Sequence, residues 1–470
     1  MDRRNFVKLL TAGGAGQIVA ATAATSAQAA AGPINVVVVG GGMAGASIAK
    51  FLCYWGKKLS IPVQVTLIEQ NAAYVSCIMS NMVLTGERTL SSLTYTYDKL
   101  KANYGVKVVK AQVGRIDPVA RKVYDAANNL LNATPYTRLI LAPGIQFDYS
   151  TISIVNKSAD KTTPLDMQVP HAWKAGPQTT QLQNQLKNLV NGARVIIAIP
   201  PAPYRCPPGP YERACVIADW MKAKKPNSKV IILDANPKIM AEPINFGNAF
   251  NGLHKNYIEY HPNAKLKGVT INSARNKQVV VSELIDPVKN VWADRTYTAE
   301  VVNLLPPMKA GQIALDTLGP AGLSADGRWA LINELTYQSK AWPNIHVIGD
   351  SIASKQPKAG HIGNQEAKVC ADAILRLETG LQPYPTPVTN SACFTPITTA
   401  IGPNGPTATW LTALFRYDPT IDPLTNAPKG MVIISGNPVG TPSEPLTGPS
   451  GDNYESMNKW FAALMQDTFS

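Results

Sequence analysis

Four consecutive valines, at positions 36–39, lead directly into a glycine-rich turn, and this feature constrains the fold more than any other. The unbroken apolar run predicts a strand buried in a parallel sheet. The turn has the spacing G-x-G-x-x-G, in which Gly40 permits the tight turn, Gly42 lets a pyrophosphate approach the backbone, and Gly45 lets the next helix pack closely on the strand. The sequence therefore predicts a strand–turn–helix unit that binds a dinucleotide.

The segments after this turn complete the unit. A helix is predicted over residues 46–51, and its free N–H groups and dipole would face the phosphates. A second strand over residues 63–68 ends at Glu69, an acid suited to binding a ribose hydroxyl. Because strand, helix, second strand and acid stand in the expected order, the predicted cofactor-binding residues are Gly40, Gly42, Gly45 and Glu69.

A second stretch repeats the plan but changes its turn. Apolar strands are predicted over residues 194–199 and 229–234, with a helix between them. The turn before that helix carries Pro200, Pro201 and Pro203 where a nucleotide site would have glycines. Proline offers no N–H to a phosphate and fixes its own φ. We therefore expect a second Rossmann-like domain that does not bind NAD(P)H.

Gly349 and Asp350 follow another apolar strand and precede a helix predicted over residues 363–377. Flavoproteins with two dinucleotide-type domains complete their FAD site in this way. The aspartate accepts from ribitol hydroxyls, and the positive end of the helix dipole faces the flavin. The predicted cofactor is therefore FAD.

Residues 1–29 read as an export signal rather than as part of the fold. Arg3 and Arg4 resemble the twin-arginine motif, and a Gly/Ala-rich apolar stretch leads to a small-residue cleavage site at residues 27–29. The predicted location is the periplasm, by the twin-arginine route. An ordinary signal with a chance arginine pair is the alternative.

The chain is basic, with a formal net charge of +13. Loss of residues 1–29 removes three basic side chains and one acidic one, which leaves +11. No basic block is interleaved with aromatic residues, so a nucleic-acid partner is not expected. No apolar run is long enough to span a bilayer. The charge favours either a solvated surface or an acidic protein partner.

The fold class is predicted as α/β, with two Rossmann-like dinucleotide-binding-type domains and a C-terminal interface domain. Residues 31–165 and 300–385 would form the FAD-binding domain, and residues 166–299 the second Rossmann-like domain. Residues 386–470 are rich in Pro, Thr, Asn and Gly, so few long elements are expected there apart from a helix over residues 454–469.

The six cysteines and five histidines show neither a C-x-x-C-H haem motif nor metal-ligand spacing. No metal is therefore predicted, and this chain should not attach a c-type haem itself. Cys53 and Cys370 fall on predicted helices and are expected in the core.

Five segments resemble the flavoprotein subunit of flavocytochrome c sulfide dehydrogenase, and the resemblance extends over the mature chain. They are residues 74–81, 171–176, 204–213, 349–350 and 357–360. The resemblance implies a fold like that of glutathione reductase, covalently bound FAD and a cytochrome c subunit, in a heterodimer, that carries the haem c and accepts the electrons.

Site residues are carried over from this resemblance one at a time. Cys77 matches the cysteine that forms a thioether to the flavin, and Lys358 falls in a matching cofactor segment. Cys206 matches one half of a redox-active disulfide that sulfide would attack. Glu212 matches an acid near the flavin, a candidate proton acceptor; a surface carboxylate paired with Arg213 is the alternative.

The second half of that disulfide is expected in a Gly-Trp-Cys-Pro segment, where this chain has Ala330. Cys206 could instead pair with Cys215, or act alone as a thiolate, or the chain could serve another donor. Cys393 lies in a segment like the family's and could be a structural thiol or a disulfide partner.

The expected activity is transfer of electrons from sulfide or a related reduced sulfur donor to a cytochrome c subunit, with sulfide turnover in doubt because of Ala330. Two alternatives remain open. One is a sulfide:quinone oxidoreductase-like enzyme, and the other is a low-activity flavoprotein scaffold that binds a periplasmic partner.

Overall fold

The computed structural model describes residues 32–470. The predicted export signal lies outside these residues. The strands, in chain order, are β1 (Ile34–Val39), β2 (Val63–Glu69), β3 (Ala73–Val75), β4 (Thr94–Thr96), β5 (Lys107–Lys110), β6 (Val113–Asp117), β7 (Lys122–Asp125), β8 (Arg138–Leu141), β9 (Ile145–Phe147), β10 (Ser153–Asn156), β11 (Arg194–Ile199), β12 (Lys229–Asp234), β13 (Ile258–His261), β14 (Ala264–Ser273), β15 (Asn276–Asp286), β16 (Val291–Ala299), β17 (Val301–Leu304), β18 (Met308–Ala310), β19 (Ile332–Asn333), β20 (Gln338–Ser339), β21 (Ile345–Val347), β22 (Val388–Thr398), β23 (Thr407–Asp422) and β24 (Ala427–Ile433).

The α-helices, also in chain order, are α1 (Met43–Lys58), α2 (Asn81–Thr85), α3 (Asp98–Tyr104), α4 (Leu165–Gln168), α5 (Pro177–Lys187), α6 (Gly209–Lys224), α7 (Pro243–Asn248), α8 (Gln312–Leu318), α9 (Gly360–Glu378) and α10 (Gly451–Phe469). Within residues 32–470, none of these helices is long and apolar enough to cross a membrane.

The first nucleotide-type unit is built around a seven-stranded sheet. Its order is β19-β20-β21-β8-β1-β2-β5, and the strands from β21 to β5 are parallel. The valines of β1 are almost completely buried, as expected for a strand covered on both faces. β21 comes much later in the chain than its neighbour β8, so two segments that are separated in the sequence form one sheet.

The second unit has a four-stranded parallel sheet of order β13-β12-β11-β17, joined to a meander of β14, β15 and β16. Its core contains both faces of β11 and the inner side of α6. The predicted α/β class with two Rossmann-like sheets is confirmed.

The C-terminal expectation was partly wrong. Residues 386–470 contain a three-stranded antiparallel sheet, β22-β23-β24, of which β23 has 16 residues. The Pro, Thr and Gly content resembles that of a loop, although threonine itself favours strands. The expected terminal helix is present as α10, and β22 packs against both α9 and α6.

Candidate active site

A cavity of about 620 Å³ lies where the two nucleotide-type units, β22 and α10 meet. Its wall contains eight of the predicted site residues: Gly40, Gly42, Glu69, Cys77, Cys206, Glu212, Gly349 and Asp350. Residues separated by three hundred positions in the sequence are therefore gathered around one space. Gly45, Cys215 and Lys358 lie outside this wall.

The glycine turn has the shape that a pyrophosphate requires. A Cβ on Gly45 would lie 1.8 Å from the carbonyl oxygen of Gly40, and a Cβ on Gly40 would lie 2.3 Å from the carbonyl oxygen of Ala142. A Cβ on Gly42 would meet no atom within 4 Å, because Gly42 borders the cavity. Gly42 caps α1 without a side-chain hydrogen bond, so the helix end is left for a ligand.

Glu69 lies at the end of β2 and borders the same space. Its Oε2 accepts a hydrogen bond from the Gly41 N–H at 2.7 Å, and its Oε1 accepts from the Asn71 N–H at 2.8 Å. These bonds fix the carboxylate beside the glycine turn, where a ribose hydroxyl would be placed.

The other end of the cavity is formed by the turn at Gly349 and the start of α9. Gly349 has a φ of 75°, and its N–H donates to Oε2 of Glu366 at 2.6 Å. Ala359 caps α9 without a side-chain hydrogen bond, and both it and Gly360 line the cavity. Burial raises the pKa of Asp350, while Arg205 and Lys358 oppose that rise. Two open helix ends and two acids therefore fit the pyrophosphate and the hydroxyl-rich parts of FAD.

Lys358 supports this turn from outside the cavity wall. Its Nζ donates to the carbonyl oxygens of Asp350 at 3.0 Å and Ile352 at 2.7 Å, and it lies 3.7 Å from the centre of the Trp329 ring. Its own carbonyl oxygen accepts from the N–H of Cys206 at 2.7 Å. Lys358 was predicted to contact the cofactor directly. Because its ammonium group donates to backbone carbonyl oxygens instead, Lys358 positions the turn at Gly349 and Asp350.

Cys77 borders the cavity in the loop between β3 and α2. Its sulfur accepts from the Ala175 N–H at 3.4 Å and lies 3.4 Å from a guanidinium nitrogen of Arg205. Arg205 also lines the cavity, and sequence reasoning did not single it out.

Cys206 and Cys393 share the cavity wall. Cys206 comes from the loop before α6, where it has a φ of 60°, and Cys393 comes from β22. Both carry free thiols. Burial raises the pKa of Cys206 well above its usual range and that of Cys393 to about 12. The two thiols are therefore candidate partners for a disulfide at the cavity wall.

Glu212 is a buried member of the same wall rather than a surface carboxylate. Its Oε1 accepts from Nδ2 of Asn81 at 2.8 Å, and burial raises its pKa to about 7. Arg213 instead donates to Oδ1 of Asn81 and to the carbonyl oxygens of His171 and Ala172. Glu212 can therefore exchange a proton near neutral pH.

Two sequence-based assignments do not fit this geometry. Cys215 is completely buried in the hydrophobic core beneath α6, and burial raises its pKa well above the usual range. This placement argues against its predicted catalytic role and against pairing with Cys206. Ala330 is also completely buried and lies outside the cavity wall; its N–H donates to the carbonyl oxygen of Ser351, and its carbonyl oxygen accepts from the N–H of Ala353.

The proline-bearing turn of the second unit is closed by its own side chains. Asn236 donates to the carbonyl oxygen of Pro200 at 3.0 Å and accepts from the N–H of Ala202 at 2.9 Å. Asp234, at the position equivalent to Glu69, is completely buried and accepts from the hydroxyls of Tyr211 and Tyr260. The groups that would bind a nucleotide are thus already used.

Two of the buried histidines are His346 and His361. His346 lies in the core, and His361 is buried in the cavity wall. Its Nδ1 accepts from the N–H of Ala392 at 3.0 Å, and burial lowers its pKa to about 4. It is therefore a neutral ring at the end of the cavity.

Two family models match this chain. Residues 179–306 match the central part of the flavoprotein chain of sulfide dehydrogenase (flavocytochrome c), and residues 34–172 match pyridine nucleotide-disulphide oxidoreductases. The sulfide dehydrogenase flavoprotein chain of Chlorobaculum thiosulfatiphilum is 50% identical over 52 residues, which are 11% of this chain and all of that sequence.

Longer matches are more distant. The type II NADH:quinone oxidoreductase NdhA of Mycobacterium tuberculosis is 24% identical over 338 residues, 68% of this chain and 67% of that protein. The sulfide:quinone oxidoreductase structure from Aquifex aeolicus aligns with a TM-score of 0.63 and 15% identity, over 93% of this chain and 92% of that one. At this identity the structural match shows a shared fold.

Proposed function

The chain belongs to the family of the flavoprotein chain of flavocytochrome c sulfide dehydrogenase, a family of FAD-dependent oxidoreductases, and on that premise we propose that it oxidises sulfide or a related reduced sulfur donor in the periplasm and reduces a cytochrome c subunit. The observation that carries this proposal is the pair Cys206 and Cys393, which faces the same cavity as the two open helix ends. Sulfur chemistry and cofactor would thus share one buried space.

The proposed sulfur step uses Cys206 and Cys393 as a disulfide. Hydrosulfide attacks one of the two sulfurs, a new S–S bond forms there, and the other cysteine leaves as a thiolate. Glu212 is the nearby group that can accept or return a proton near neutral pH. This assignment replaces the pairing expected at Ala330.

FAD, when bound, supplies a group that accepts two electrons and gives them up one at a time. Gly40, Gly42, Glu69 and Asp350 would hold it, and Cys77 would form the thioether. A covalent bond would keep the cofactor on an exported protein, since the twin-arginine signal proposed for residues 1–29 delivers folded proteins to a compartment without a supply of FAD.

We propose that no nicotinamide takes part. The turn at residues 200–203 lacks the N–H groups that a pyrophosphate needs, and Asn236 and Asp234 are bonded within the protein. The NADH named in the mycobacterial relative is therefore not proposed as the donor here.

Three serine variants test the cysteine assignment. C206S and C393S should each slow reduction of the bound flavin by sulfide by at least about 100-fold, because either change removes the disulfide. C215S is the matched control: it alters a core thiol and should keep the rate within a few-fold. Anaerobic stopped-flow absorbance of the holoprotein gives these rates. Equal loss in all three variants would contradict the assignment.

Cys77 is tested separately by mass. The denatured wild-type chain should retain the mass of one FAD, and C77S should release it while still binding FAD in the native state. C53S, at a half-buried cysteine of α1, is the control that should keep the attached mass. Release of FAD from the denatured wild type would exclude a covalent bond.

A quinone acceptor is the second candidate. The Aquifex sulfide:quinone oxidoreductase shares the fold, and Leu424, Val439 and Leu446 in the C-terminal region are largely exposed here. Comparing a short-chain ubiquinone with cytochrome c as oxidants of the sulfide-reduced protein separates the two. No observation on the cavity favours the inactive-scaffold alternative, because its motive, Ala330, lies outside the wall.

A further inference from the structure

Glu242 is a buried acid that the proposed sulfur step does not use. It precedes α7 with a φ of 53°, and its side chain is completely inaccessible to solvent. Among residues 32–470 it forms no ion pair with a lysine, arginine or histidine. Burying a carboxylate without a counter-ion raises the free energy of the folded state. An amide or an apolar residue at this position would avoid that destabilisation, so a purely structural role does not explain a glutamate here.

The carboxyl group of Glu242 is joined to the cavity by one hydroxyl. Oγ1 of Thr395 lies 2.8 Å from Oε1 and 3.0 Å from Oε2 of Glu242. Thr395 is two residues after Cys393 on β22, and both line the cavity. Residues i and i+2 of a strand share one face, so the hydroxyl stands beside the thiol. The cavity, Thr395 and Glu242 therefore form a continuous polar line.

Directly after Glu242 the chain itself reaches the surface. Pro243 and Ile244, which follow it directly, are exposed. Glu444, which is partly exposed, accepts hydrogen bonds from the N–H groups of Ile244 and Asn245. Glu242 thus stands between the cavity wall and a solvent-facing acid.

The titratable groups around Glu242 are acidic or neutral on every side. Glu212 and Cys215 face it from α6, Cys393 from β22, and Glu444 from the segment after β24. Burial raises the pKa of Glu242 to about 8, and the hydrogen bond from Thr395 opposes that rise. The group can therefore gain and lose a proton under ordinary conditions.

We propose that Glu242 and Thr395 carry to the protein surface the proton that sulfide oxidation releases in the cavity. The inference rests on the proposed function. Oxidation of one hydrosulfide ion to zero-valent sulfur releases one proton and two electrons, and the electrons reduce two ferric haems of the acceptor. The proton binds Oγ1 of Thr395 as the hydroxyl hydrogen moves to Glu242, so Thr395 is unchanged and Glu242 becomes neutral.

The first test compares E242Q with the wild-type holoprotein, using sodium sulfide as donor and cytochrome c as acceptor. Glutamine keeps the hydrogen bond to Thr395 but cannot take a proton. An accepting Glu242 must be ionised, so the wild-type rate gains from rising pH through about 8 and the variant does not. The ratio of variant to wild-type rate should fall with pH, to about one tenth or less. A ratio that stays near one across this range would overturn the proposal.

Variants of Thr395 test the same proton path without changing Glu242, and they serve if E242Q folds poorly. T395V leaves Glu242 in place but interrupts the line, and should reproduce the slow rate. T395S restores a hydroxyl and should restore the rate. Equal rates in T395V and T395S would overturn the role of the hydroxyl.

A measurement without sulfide separates this inference from the proposed function. Infrared difference spectra of the holoprotein, recorded at successive pH values, should contain a carboxyl C=O band that is lost in E242Q and shifted in T395V. If the wild type is inert toward sulfide but this titrating band is present, the proposed function fails and proton exchange at Glu242 stands. If no such band titrates, the inference itself is overturned.

Discussion

Burial is the property that the thiols and acids of the candidate site share. Cys206, Cys393, Glu212 and Glu242 each have a pKa raised by removal from water. Burial therefore favours the neutral form of these thiols and acids. In a site that moves electrons and protons, this arrangement lets charge appear only where the chemistry creates it.

The raised pKa of Glu242 has a consequence for stability. An unfolded glutamate ionises at its usual pKa of 4.5, whereas the folded one ionises only near 8. Between these values the unfolded state releases a proton that the folded state holds, so the wild type loses stability as the pH rises from about 5 to about 8. E242Q lacks this loss.

Chemical denaturation of wild type and E242Q at both pH values measures the effect. The difference in free energy of unfolding should change by a few kcal/mol in favour of E242Q on going from pH 5 to pH 8. Glu212 is present in both proteins. Parallel stability curves would show that Glu242 is ionised in the folded state throughout.

At the level of elements, different glycines of the turn between β1 and α1 serve the packing of the fold and the binding of the cofactor. Gly45 packs against the carbonyl oxygen of Gly40, whereas Gly42 faces open space in the cavity. The same methyl group therefore has different effects at two positions three residues apart. G45A should destabilise the fold by about 1–3 kcal/mol, because the helix must move away from the strand.

G42A is the matched variant. Its backbone φ of −71° suits alanine, and the new methyl group meets no protein atom. It should leave the thermal stability of the flavin-free protein nearly unchanged but weaken FAD binding, because it occupies space meant for the pyrophosphate. Calorimetry and flavin fluorescence measure the two effects. Stronger destabilisation by G42A than by G45A would contradict this description of the turn.

Elements were predictable where the pattern is local. The valine run, the glycine spacing and the acid at the end of β2 all act within 35 residues, and the structure builds β1, α1 and β2 from them. β22 and β23 were missed because their threonines and prolines resemble loop composition, and their burial depends on α6, α9 and α10. Cys393 could therefore not be placed beside Cys206 from the sequence.

At the scale of the whole molecule, the two nucleotide-type units differ in one turn. The turn of the first unit is open to a ligand, whereas the corresponding turn of the second unit is filled by the protein's own groups. The first turn leaves its helix end free, while the second uses Asn236 and proline residues to fill the same place. The sequence predicted this contrast because proline lacks an N–H wherever it is placed. It could not predict the line from Thr395 through Glu242, which joins residues about 150 positions apart.

The central claim is that electrons enter this protein from sulfur in the cavity and not from a nicotinamide. Anaerobic stopped-flow absorbance of the purified holoprotein tests it most directly, with sodium sulfide in one experiment and NADH in a matched one. Sulfide should bleach the flavin band on the timescale of turnover, and NADH should leave it unchanged. Rapid bleaching by NADH, with none by sulfide, would contradict it.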